Sequence, residues 1–72
     1  MKMTFVKFYG SASFGVRRGG RDFGTLSLTD VDSMSWSLIV EAPKFYAGRY
    51  VLNGDYKVVT NYISKHFGSA VR

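Results

Sequence analysis

A chain of 72 residues with ten Lys or Arg, five Asp or Glu and no Cys forms one small domain, residues 1–72, whose single core leaves little stability to spare. The absence of thiols excludes disulfides and thiolate metal sites. One His and five carboxylates offer little for a structural metal, no cofactor is expected, and a homodimer is the expected route to extra stability. The +5 net charge is concentrated outside residues 30–42, where the charged side chains are Asp30, Asp32 and Glu41. That distribution points to an anionic partner such as nucleic acid, and a charge that merely keeps the chain soluble is the plain alternative.

Residues 1–9 read as a first strand with apolar or aromatic positions on both faces, Met3, Phe5 and Tyr9 against Val6 and Phe8. Such a strand is central in a sheet or covered by a partner. Gly10 and Ser11 end it. Residues 12–18 alternate, with Ala12, Phe14 and Val16 on one face. The run Arg18-Gly19-Gly20-Arg21 supplies a hairpin turn, and residues 23–29 return with Leu26 and Leu28 toward the core.

Residues 33–42 give the clearest period-two signal: Met34, Trp36, Leu38, Val40 and Ala42 on one face, and Ser33, Ser35, Ser37, Ile39 and Glu41 on the other. This is the expected central strand, with Trp36 as core anchor, ended by Pro43. Residues 44–48 read as a loop exposing aromatics beside Lys44. Residues 49–52 and 56–60 read as a second hairpin around Asn53-Gly54. Thr60 then caps a short helix with Tyr62, Ile63, His66 and Phe67 on one face and Gly68 at its end, and residues 69–72 fray. The fold class is therefore mainly β, a small antiparallel barrel or sandwich of five or six strands, OB-like, with a short C-terminal helix. No run of eighteen apolar residues and no signal-peptide pattern is present. The expectation is a protein without a membrane segment, in the cytoplasm, that of the host cell if the chain is viral.

No catalytic constellation can be assembled, so no enzyme is expected. His66 stands without a Cys or an elbow serine, and the role of a packing or surface residue suits it better than that of ligand or base. Asp30 and Asp32 lack a third ligand at calcium-loop spacing and read as turn caps. Glycines five apart at Gly10, Gly15 and Gly20 are not followed by the Lys-Ser or Lys-Thr of a phosphate loop.

The stronger signal is the interleaving of rings with cations: Phe14, Arg17, Arg18, Arg21 and Phe23 around the first hairpin, and Lys44, Phe45, Tyr46, Arg49 and Tyr50 in a second cluster. Single-stranded DNA or RNA is held by this combination, cations on phosphates and bases on rings. Arg17, Arg18, Arg21, Lys44 and Arg49 are the expected phosphate contacts. Phe14, Phe23, Phe45 and Tyr46 are the candidate stacking surfaces, with Trp36 and Tyr50 in the core. A second reading uses the same Arg and aromatic residues to occupy and inhibit a host protein, as a small phage or mobile-element product does. A third is a homo-oligomer joined through the apolar first strand.

The order Arg17-Arg18-Gly19-Gly20-Arg21-Asp22-Phe23, an apolar strand, then Phe45-Tyr46-Ala47-Gly48-Arg49-Tyr50-Val51 resembles the single-stranded DNA-binding proteins of filamentous phages, the gene V type. The likeness covers residues 14–52. It implies an OB-like barrel that dimerises and coats single strands, with Arg17, Arg21 and Phe23 on DNA and Tyr50 structural. The chain departs from that pattern in being shorter and in its C-terminal helix.

Overall fold

Gly19 and Gly20 take φ of 59° and 84°, the left-handed conformation that a two-residue hairpin demands at both central positions. They join β2 (Ser13–Arg18) to β3 (Arg21–Asp30). In the computed structural model, which describes residues 2–8, 10 and 12–68, this hairpin is the middle of an antiparallel meander. Its other strands are β1 (Met3–Lys7), β4 (Ser35–Val40) and β5 (Gly48–Asn53). A 3-10 turn at Lys44–Tyr46 follows a cis Ala42–Pro43 bond, and a helix, α1 (Tyr56–Phe67), closes the described chain.

The sheet order is β1-β2-β3-β4-β5. The sheet is open: β1 and β5 are its two edges, so the five strands form neither a closed barrel nor a sandwich. Two further expectations are corrected by the same topology. The run at residues 33–42 is not the central strand, because β3 holds the middle and β4 lies beside the β5 edge. Of the two readings of the first strand, the central one is also excluded, because β1 (Met3–Lys7) is an edge paired with β2. Tyr9, Ser11 and the tail 69–72 lie outside the described residues.

Cross-strand partners share a face, so the register sorts the sheet into two surfaces. Leu26 pairs with Leu38 and Leu28 with Trp36, and Leu38 pairs in turn with Tyr50 and Trp36 with Leu52. This is the core face. Phe23 joins it through an irregularity in the β2–β3 ladder between Val16 and Arg17, where its carbonyl accepts from the amides of Glu41 and Ala42. On the opposite face Ser13, Ser27, Ser37 and Val51 form one cross-strand row, and Val6, Gly15, Thr25, Ile39 and Arg49 form the next. No described element packs on this second face.

The helix covers the first face. The hairpin expected at Asn53-Gly54 is not formed, because Asp55 caps a helix immediately after it. The Asp55 carboxylate accepts from the Val58 amide at 2.9 Å, and its backbone carbonyl accepts from Val59 at 3.0 Å. Val59, Ile63 and Phe67 recur every four residues and are buried, so one stripe of the helix closes the core. This periodicity overrides the strand preference of Val58 and Val59. Thr60 is mid-helix, its hydroxyl donating back to the Tyr56 carbonyl, and is not the cap. Tyr62 and His66 share a ring contact with 4.0 Å between centroids on the outer side, so the single face expected for Tyr62, Ile63, His66 and Phe67 divides into an exposed pair and a buried pair. Trp36 ties the junction down by donating from its indole N–H to the Gly54 carbonyl at 2.7 Å. Asp55→Ala should cost about 1 kcal/mol, the usual value of a lost cap, measured as a lower urea midpoint with unchanged slope.

Candidate nucleic-acid interface

The residues singled out in the sequence fall in four places. Phe23 is core, 1% exposed and packed on Phe67 with 5.3 Å between ring centroids, so it offers no stacking surface. Phe14 is partly buried on the core face, with ring contacts to Tyr56 at 4.8 Å and Trp36 at 6.2 Å. Tyr46 packs edge-on against Phe67 and Phe23, and its carbonyl accepts the Tyr50 hydroxyl at 2.6 Å. Tyr50 itself packs against the core, as Trp36 does. The physical reason is economy of apolar material: a single-helix core over five strands draws in rings that a larger domain would leave outside.

The arginines are also divided. Arg17 lies on the uncovered face, where its guanidinium pairs with Asp22 at 3.1 Å and donates to the Gly20 carbonyl. Arg18 turns toward the helix. Its Nε donates to the Phe67 carbonyl at 2.6 Å, and its guanidinium carbon stands 5.4 Å from the Tyr46 ring centroid. A cation there satisfies a carbonyl in the last turn and opposes the negative end of the helix dipole. Arg18 therefore ties the hairpin to α1. Arg49 lies on the uncovered face and donates to the Ser37 hydroxyl at 3.2 Å, away from Lys44 and Phe45, with which it is clustered in sequence.

What the fold does bring together is the tip of the β2–β3 hairpin and the turn after Pro43. Between them runs a groove of about 410 Å³ lined by Arg18, Gly19, Arg21, Pro43 and Phe45, with Ala42 and Asp22 completing the wall. Phe45 is 75% exposed and its ring rests on Tyr46 at 4.6 Å between centroids, so one side is supported and the rest open. Arg21 and Lys44 are exposed and make no side-chain hydrogen bond or ion pair with the described residues. The Asp22 carboxylate, which would oppose an anion, is already engaged by Arg17.

Asp30 acts as a turn cap, its carboxylate accepting from the Asp32 amide at 3.0 Å. Among the described residues no three His, Cys, Asp or Glu side chains gather as a metal site, and no helix is long and apolar enough to cross a membrane. Sequence reasoning missed the exposed patch where β5 meets the outer side of α1, formed by Val51, Val58 and Tyr62. The signal was present in the four-residue spacing of Val59, Ile63 and Phe67, which puts Val58 and Tyr62 on the next stripe. Compared with family models, with curated proteins and with solved structures, the chain matches none of them.

Proposed function

We propose that this protein binds single-stranded nucleic acid with little sequence preference, at the groove between the hairpin tip and the Pro43 turn. The observation that carries the reading is the open Phe45 ring, backed by Tyr46, at the rim of a groove whose other wall holds Arg18 and Arg21. A base stacks on any open ring because every base has a π-face, and cations a few ångströms away take the flanking phosphates. Arg21 and Lys44 are the phosphate contacts in this reading, with Arg18 adding its charge while it holds the helix end. Phe45 is the stacking residue. Groove-specific readout of a duplex calls for a helix or ribbon with several base-reading side chains, and the hairpin tip carries glycine at its two central positions.

Phe45→Ala should weaken binding of labelled oligo-dT by about 5- to 150-fold, the range of one lost base stack, measured by fluorescence anisotropy at low salt. The residue is exposed, so its melting transition should stay within about 0.5 kcal/mol of wild type. Unchanged affinity in a folded Phe45→Ala protein would remove the groove from the account. The likeness to the gene V type remains a proposal of the same kind, and of the DNA contacts it implies Phe23 alone lies inside the core. Occupation of a host protein is the second reading, and the exposed uncharged patch beside β5 favours a protein contact there over a nucleic-acid one.

A further inference from the structure

We propose that β5 pairs with β5 of a second copy across a two-fold axis at Val51, joining the two open sheets into one. The inference does not depend on the nucleic-acid reading. β5 is an edge strand of six residues, Gly48–Asn53, whose described ladder runs to β4 on one side only. An edge strand presents unpaired backbone donors and acceptors, and proteins that stay monomeric guard such edges with lysine, proline or a bulge. β5 has neither Lys nor Pro, its one charged side chain, Arg49, is turned onto the Ser37 hydroxyl of β4, and its register with β4 runs without interruption from Ser35–Asn53 to Val40–Gly48. The other edge is guarded, because β1 ends in Lys7 and is preceded by Lys2.

The surface beside β5 is also unlike the rest of this +5 chain. A groove of about 250 Å³ runs between the strand and the helix, lined by Val51, Leu52, Asn53, Val58, Val59 and Tyr62. None of the six is charged. Val51 is 68% exposed and Val58 54%, so apolar area that most surfaces of a small protein would hide is open along this edge.

The occupant is a second copy because the strand is complementary to itself. Antiparallel pairing centred on Val51 sets Val51 against Val51, Tyr50 against Leu52 and Arg49 against Asn53. No like charges stand opposite each other, and the serine row that ends in Val51 and the core-face row each continue into the partner sheet. The contact is isologous, closes on itself, and leaves the Phe45 groove of each copy at the far end of its own β5.

The test uses the absence of cysteine from the chain. Residues directly opposite in an antiparallel pair have Cα atoms about 4.5 to 5.5 Å apart, a span a disulfide bridges. Val51→Cys should therefore cross-link to a covalent dimer under mild oxidation, while Val6→Cys, also exposed but on the guarded edge, should cross-link at least about tenfold more slowly. In sedimentation, wild type should be a dimer, and Val51→Lys should raise its dissociation constant at least about tenfold by setting two ammonium groups together at the axis. The circular dichroism spectrum of Val51→Lys, a surface change, should be that of wild type. A wild type that is monomeric at every concentration overturns the proposal and leaves the β5 edge to a partner of another kind. A dimer that Val51→Lys leaves intact, or equal cross-linking at Val6, places the contact elsewhere and overturns it too.

Discussion

Replacing Gly24 by alanine is expected to cost about 3 kcal/mol or more and to leave much of the protein unfolded at 25 °C. The reason is space, not backbone freedom. A Cβ at Gly24 would lie 2.1 Å from the Ile39 carbonyl oxygen and 2.9 Å from the Val40 Cα, both backbone atoms of the neighbouring strand. No rotamer change relieves such a collision, so β3 and β4 must separate where Leu26 and Leu38, both fully buried, make the centre of the core. A urea titration followed by the fluorescence of Trp36 measures the loss. Gly15→Ala supplies the comparison, because its Cβ would meet the ring of Phe8 at 3.3 Å, an exposed side chain that can shift. Equal stability of the two variants would show that β3 and β4 do not approach as described.

The second large effect is at the helix. Ile63→Ala is expected to lose about 3 kcal/mol, within the range for a buried Ile or Leu cut to Ala, because Ile63 is 0% exposed and lies between Val59 and Phe67 on the stripe that closes the core. Tyr62→Ala, one residue away and 45% exposed, should cost under about 1 kcal/mol. The contrast between neighbours is what a helix requires. A strand over residues 56–60 followed by a later helix, as Asn53-Gly54 suggested, would not demand burial at Val59 together with Ile63 and Phe67.

Much of the sheet could be read from the residues because its signals were local. Adjacent glycines specify the β2–β3 turn, and alternation in residues 35–40 reports a half-buried strand whatever lies beside it. The openness of the sheet could not be read that way, since closure depends on which strands become neighbours and on what residues 56–60 do. There two local signals competed. Asn-Gly is a strong turn, but Asp55 supplies a cap directly after it, and burial of Val59, Ile63 and Phe67 decides in favour of the helix. The candidate site was legible only as composition. Cations and rings were near one another in sequence, yet pleating sends Arg49 and Tyr50 to opposite faces, the ladder irregularity turns Phe23 into the core, and Arg18 is drawn to the Phe67 carbonyl. Phe45 keeps an open ring because the turn at Lys44–Tyr46 buries none of its residues fully.

The most direct test of the nucleic-acid reading is the affinity for oligo-dT measured as a function of salt concentration. Single strands release counterions in proportion to the phosphates neutralised, with a slope of log K against log salt near −0.7 per contact. With Arg21, Lys44 and Arg18 engaged, the slope should be about −2, and it should fall to about −0.7 in the Arg21→Ala/Lys44→Ala double variant. An affinity independent of salt, or a slope that the double variant leaves unchanged, would contradict the assignment of this groove to nucleic acid.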